Sequence, residues 1–176
     1  MEIQRGKPAH LAEICQITDQ AKRRLQALGL DQWQKGYPSR DVWEEDLVLG
    51  RAWVVIEGGI VAAAFTLTRE PEPSYQQIQG TWQSPEGSGY TSLHRLCVGD
   101  AWMGRGIAGA CLAFALEQAA QAGDTSLRVD THPGNRPMGR ALEKAGFCCC
   151  GQIALVGGPE DGDLRIAYEK VLSSKG

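Results

Sequence analysis

The segment "VGDAWMGRGIAGACL", Val98 to Leu112, joins a strand-like ending to a helix-like apolar pattern through two glycines that flank an arginine. No other part of the chain constrains the fold as strongly, because a strand passing directly into a helix is the building unit of an α/β sheet. Glycine lets the backbone adopt conformations closed to other residues, and the first N–H groups of a helix have no partner within it. Aligned peptide dipoles add about half a positive charge at that end. Phosphate oxygens can therefore be held there without a lysine. Gly104 and Gly106 open the loop, Ala108 and Gly109 stay small where the backbone must be approached, and Arg105 can add charge at the rim. A tight turn with no ligand would read the same over so short a stretch. No Gly-Lys-Ser/Thr follows, so this is not a Walker loop, and it matches a dinucleotide fingerprint only loosely.

The rest of the chain supplies elements of both periods. A short edge strand at Glu2 to Gly6 precedes a helix that starts near Pro8 and stops at Gly29. Its Leu11, Ile14, Ile17, Ala21, Leu25 and Leu28 form one stripe at spacings of three and four. A polar loop carrying Trp33 and Tyr37 follows, then a short helix around Val42 to Leu49. Those two aromatics either pin the loop to the core or wall a substrate site. "RAWVVIEGGIVAAAFTLTRE" reads as a hairpin turning at Gly58 and Gly59. "PEPSYQQIQGTWQSPEGSGY" reads as a long, mobile connection, and "TSLHRLCV" as the next strand. Beyond the helix from Gly106 to about Gln121, "SLRVDTH" is a strand and Asn135 to Lys144 a helix stopped by Gly146. "CCCGQIALV" and "LRIAYEKVL" close the chain as a strand pair. The expected architecture is a mixed α/β sheet flanked by helices, in one domain spanning residues 1–176.

With 43% hydrophobic residues in 176, the chain can bury one sizeable core. A net charge of −3 gives no general attraction to nucleic acid or to an anionic membrane, so any anion site must be local. The N-terminus carries Glu2, Arg5 and Lys7 with no continuous apolar run, which argues against a signal peptide or a membrane span and makes the cytoplasm the expected compartment. Cys15, Cys97 and Cys111 lie in apolar periodic segments, where a reduced cysteine packs as a small hydrophobe. Cys148, Cys149 and Cys150 cannot converge on one metal if neighbouring strand residues point to opposite faces, and no metal is expected.

"VGDAWMGRGIAGACL" resembles motif A of the GNAT superfamily of N-acetyltransferases. Downstream, "NRPMGRALEKAGF" resembles the following GNAT motif, in which an asparagine opens a helix ending in Gly-Phe, here Gly146 and Phe147. "LRVDTHPGNRPMGRALEKAGFCCCGQI", with "QWQKGYP" before and "LRIAYEK" after, is similar to a bacterial subgroup of that superfamily. The resemblance implies a mostly antiparallel sheet with one splayed strand pair, and acetyl-CoA as co-substrate. It implies a pantetheine arm paired to the backbone at Leu96, Cys97 and Val98, and a pyrophosphate on Gly104, Arg105, Gly106, Ile107, Ala108 and Gly109. It also implies a cofactor hydrogen bond from Asn135. Two positions depart from the family pattern: Met103 stands where Gln or Arg usually begins the motif, and Leu142 where many members carry a tyrosine beside the leaving thiol. The thiolate then leaves unaided or takes a proton from Tyr168 or water.

Acetyl transfer to an amine needs a proton acceptor, because an amine of pKa about 10.4 is neutral in only roughly one molecule in a thousand at neutral pH. His94, two residues before Leu96 on a strand, is the first choice; its structural alternative is a hydrogen-bonded core histidine. Asp130 and His132 alternate on the neighbouring strand and either form an acid–histidine pair or fix the loop before Asn135. Backbone N–H near Leu96 can hold a developing oxyanion. The expected activity is direct N-acetylation of a small-molecule or peptide amine, with Trp33 and Tyr37 as candidate acceptor contacts; the alternative is a CoA-binding module without efficient transfer. Exposed strand edges leave room for a homodimer.

Overall fold

A computed structural model describes residues 1–172 of the chain. The elements are β1 (Glu2–Arg5), α1 (Leu11–Ala27), α2 (Arg40–Val48), β2 (Ala52–Glu57), β3 (Ile60–Thr68), β4 (Gln79–Gly80), β5 (Tyr90–Val98), α3 (Ile107–Gln121), β6 (Ser126–Thr131), α4 (Arg136–Lys144), β7 (Cys148–Ala154) and β8 (Leu164–Val171). The strands form a sheet in the order β1-β2-β3-β5-β6-β8-β7-β4. Strands β5 and β6 are parallel, and β1/β2, β2/β3, β4/β7, β6/β8 and β7/β8 are antiparallel. This is the mixed α/β sheet that the period changes predict, mostly antiparallel as the family resemblance implies. The chain divides into two compact units, one of Met1–Leu67 with His94–Cys111, the other of Thr68–Leu93 with the chain from Leu112 onward.

In the first unit, Leu11, Ile14, Ile17, Ala21 and Leu25 of the α1 stripe are buried with Trp43 and Leu47 of α2, Val54 of β2, Val61 and Ala64 of β3, and Cys97 of β5, whereas Leu28, past the end of α1, is exposed. Burying each large apolar side chain contributes about 1.5–3 kcal/mol, which holds the amphipathic helix on the sheet. Helix α2 begins at Ser39, whose side chain accepts from the Val42 N–H at 3.4 Å. The β2–β3 hairpin turns through Gly58 and Gly59 at φ of 58° and 80°, the double left-handed turn that suits the strand twist.

In the second unit, β6 lies between β5 and β8, with Arg128 opposite Glu169 and Val129 opposite Tyr168. The connection from Pro71 to Tyr90 differs from the mobile loop expected. Tyr75 and Ser84 within it are buried, at 2% and 6% exposure, and the segment contributes β4 to the sheet edge. Its anchor is the buried Glu169 carboxylate, which accepts from the N–H of Gln83 at 2.5 Å and of Ser84 at 3.0 Å, and from the hydroxyls of Ser84 and Ser126, both at 2.6 Å. Arg128 pairs with the same carboxylate at 2.9 Å and lies 4.0 Å from the ring centroids of both Trp82 and Tyr90. A composition rich in Pro, Gly and Gln carries no sign of such a buried ionic anchor. The register of β7 shifts between Cys149 and Gly151, so strict alternation fails there: Cys148 and Cys149 are both exposed and Cys150 is buried.

Candidate functional site

The base of the glycine loop is fixed within the first unit. Gly99 N–H donates to Ala62 O at 2.8 Å. Arg24 donates to Val98 O at 2.6 Å and pairs with the Asp100 carboxylate. Gln20 Oε1 accepts from Asp100 N–H at 2.8 Å. Above that base, Gly104 and Gly106 stand at φ of 74° and 77°, in the left-handed region that a side chain strains. A Cβ built on Gly104, Gly106 or Gly109 would meet nothing within 4 Å, so the loop borders open space. Ala110 N–H donates to Gly106 O at 3.1 Å and opens α3. Arg105 is exposed, its guanidinium 5.0 Å from the Trp102 ring centroid, and Met103 is 48% exposed. An open backbone at the start of a fifteen-residue helix fits the diphosphate of a nucleotide cofactor.

Strand β5 leads into that loop. Leu96 is partly buried, and Cys97 and Val98 are buried. Burial pushes the Cys97 thiol up to about 11 and the Cys111 thiol up to about 12, which makes both poor nucleophiles. The ladder between β5 and β6 runs from Tyr90 and Ser126 to Leu93 and Val129, although β5 continues to Val98 and β6 to Thr131. Arg95, within β5, has a left-handed φ of 56°; the alternation that set His94 and Leu96 on one face does not carry through such a residue. Burial, and after it the Arg95 charge, holds the His94 imidazole down at about 3. The Arg95 guanidinium itself reaches Asp46 and the Tyr37 hydroxyl.

The aromatic loop before α2 divides in two. Trp33 is 9% exposed and belongs to the apolar core of the first unit, where it anchors the loop. Tyr37 packs partly against the same core, and its hydroxyl oxygen accepts from Arg95 Nη1 at 2.6 Å.

In the second unit, the Asp130 carboxylate accepts the Tyr75 hydroxyl at 2.7 Å. Burial raises this carboxyl to about 6, against the Tyr75 bond and the Arg165 charge that lower it; Glu72 and Glu160 add to the rise. The Tyr75 phenol is itself pushed well up, by burial and then by Asp130. His132 lies just past β6, with Nδ1 accepting the Gly134 N–H at 2.9 Å, so its ring braces the turn before α4. Asn135 caps α4, its side chain accepting the Met138 N–H at 3.3 Å. Leu142 is fully buried. Tyr168 is 7% exposed and, with Thr131, Asn135 and Arg140, lines a cavity of about 230 Å³. Sequence reasoning passed over Tyr75 because it sits in a segment without periodicity. Arg95 is marked in the sequence by one signal, a charge inside an apolar strand run. Among the described residues, no group of three or more His, Cys, Asp or Glu side chains is arranged to hold a metal ion, and no helix is long and apolar enough to cross a membrane.

The Acetyltransferase (GNAT) family model matches residues 14–147, a span that contains β5, the glycine loop, α3 and α4. The chain belongs to the GNAT acetyltransferase family. Its members are N-acetyltransferases that use acetyl-CoA. A GNAT-family acetyltransferase from Streptococcus agalactiae is 31% identical, with a TM-score of 0.83 over 98% of this chain and 96% of its own. Two more distant structures share the GNAT fold. A GNAT-family acetyltransferase from Listeria monocytogenes is 21% identical, with a TM-score of 0.71 over 97% of this chain and 94% of its own. A ribosomal-protein-alanine N-acetyltransferase from Brucella melitensis is 18% identical, with a TM-score of 0.66 over 98% of this chain and 100% of its own. No curated protein matches the sequence.

Proposed function

We propose that this GNAT protein moves an acetyl group from acetyl-CoA directly to a primary amine, and that residues 1–176 work as one acetyltransferase domain. The observation that carries this reading is the pair of left-handed glycines, Gly104 and Gly106, opening α3 beside unfilled space. When bound, acetyl-CoA supplies an activated thioester. The main-chain N–H groups of Gly104 to Gly109 are assigned to its diphosphate, the backbone of Leu96 to Val98 to its arm, and Asn135 to a further hydrogen bond. The Leu96 N–H is assigned to the oxyanion, a contribution of about 3–4 kcal/mol in comparable sites.

For the proton acceptor, Asp130 is favoured over His94. Burial holds the His94 imidazole down at about 3, which leaves it a weak base, whereas burial raises the Asp130 carboxyl to about 6 and makes it the stronger one. Tyr75 orients that carboxyl through its 2.7 Å bond. Tyr168, whose phenol is raised by burial and stays protonated at neutral pH, is assigned as donor to the leaving thiolate in place of the hydroxyl that Leu142 lacks. Six free cysteines, two of them exposed, suit a reducing cytoplasm.

Calorimetric titration with acetyl-CoA, followed by thiol release against a panel of amines, tests this reading. Absence of binding at millimolar cofactor removes it. Binding without thiol release above hydrolysis for any amine leaves a CoA-binding module, the alternative that Met103 and Leu142 favour.

A further inference from the structure

Among the described residues, only Trp33 at φ of 62° and Arg95 at φ of 56° are non-glycine residues with left-handed backbone. Such a conformation is costly for any residue with a Cβ and persists only where its surroundings over-determine it. Arg95 is held by three hydrogen bonds. Its Nε and Nη2 donate to Asp46 Oδ2 at 2.9 and 2.7 Å, and its Nη1 donates to the Tyr37 hydroxyl at 2.6 Å. Asp46, with a side chain 4% exposed, is fixed in turn by the Thr66 hydroxyl at 2.7 Å and by its place in α2. A buried ion pair is at best weak support for stability compared with apolar residues of similar size, so stability alone does not account for an arginine in the middle of this strand.

What the pair does determine is backbone geometry at one point, the residue before Leu96. We propose that Asp46, Arg95 and Tyr37 form a positioning clamp that maintains the left-handed break in β5 and so aims the Leu96 N–H at the acetyl carbonyl. The inference rests on the acetyltransferase reading given above. Arg95, Asp46 and Tyr37 act through Leu96 and not by touching the reacting atoms.

The test uses the full chain with acetyl-CoA labelled with ¹³C at the thioester carbonyl, which needs no knowledge of the acceptor. Binding to the unaltered protein should displace the carbonyl resonance, because an aimed N–H polarises it. Arg95→Ala should lose most of that displacement while calorimetric affinity stays within about threefold, the diphosphate contacts being elsewhere. With an accepted amine, its kcat should fall roughly 10- to 100-fold with little change in KM for acetyl-CoA. Arg95→Gly should recover part of both signals, because glycine takes the left-handed conformation unaided although it lacks the guanidinium as completely as alanine does. Should Arg95→Ala not fold, Tyr37→Phe removes one hydroxyl and should move the resonance in the same direction by less. An Arg95→Ala or Tyr37→Phe resonance identical to that of the unaltered protein overturns the clamp alone. Failure of the unaltered protein to bind acetyl-CoA overturns the acetyltransferase reading, and the clamp with it.

Discussion

Gly106→Ala separates the two consequences of a glycine at the start of α3. Its φ of 77° costs a residue with a Cβ about 1–2 kcal/mol, while the lost flexibility of the unfolded chain returns about 0.4–1. The net is a destabilisation of about 1 kcal/mol, or roughly 2–4 °C in Tm for a chain of this size. Nothing lies within 4 Å of the added methyl, so no clash enlarges that figure. The methyl would instead occupy the space offered to the diphosphate and prevent at least one charge-assisted hydrogen bond, a loss of about 1.5–3 kcal/mol. Acetyl-CoA affinity should therefore fall roughly 10- to 150-fold. Gly123→Ala is the control: φ is 78° and its surroundings are equally open, but it lies in the turn after α3. It should show the same Tm loss with affinity changed by no more than about twofold. Scanning and titration calorimetry on both variants give the two quantities. If Gly106→Ala binds acetyl-CoA as tightly as Gly123→Ala, the backbone cradle does not hold the cofactor and the reasoning fails.

Asp130→Asn should lower kcat about 100-fold or more; in the unaltered protein kcat should rise with pH through about 6, where the carboxyl loses its proton, and that inflection should be absent from the variant's profile. An unchanged profile would exclude Asp130 as the base. Glu169→Gln leaves Arg128 buried without its counter-charge and should destabilise the chain by about 3–5 kcal/mol in urea titrations. Serine and arginine hydrogen bonds hold the Glu169 carboxyl below its ordinary 4.5 despite burial; its contribution is therefore complete above that pH and is lost as pH falls further, so the variant's deficit should shrink in acid. A thiol reagent should label Cys148 and Cys149 rapidly in the native protein and Cys97 and Cys111 only after denaturation, as mass spectrometry of the labelled peptides can establish.

Local chemistry was legible wherever it repeats along the chain. The α1 stripe, the Gly58–Gly59 hairpin, the Asn135 cap and the glycine loop all follow from periodicity or from backbone conformations that few residues tolerate, and the mixed α/β class was implied by the succession of elements. Side-chain partners far apart in sequence were not. Glu169 reaches Ser84 across 85 positions, Arg95 reaches Asp46 across 49, and Asp130 meets Tyr75 across 55. No period or spacing encodes such meetings. The pKa order that favours Asp130 over His94 depends on burial and neighbouring charge, both of which exist only once the sheet has formed, and the left-handed turn at Arg95 depends on an ion pair that two separate elements must assemble. Sequence alone determined where backbone can be bare; tertiary structure decided which charges face one another, because desolvation and ion pairing are properties of space and not of chain order.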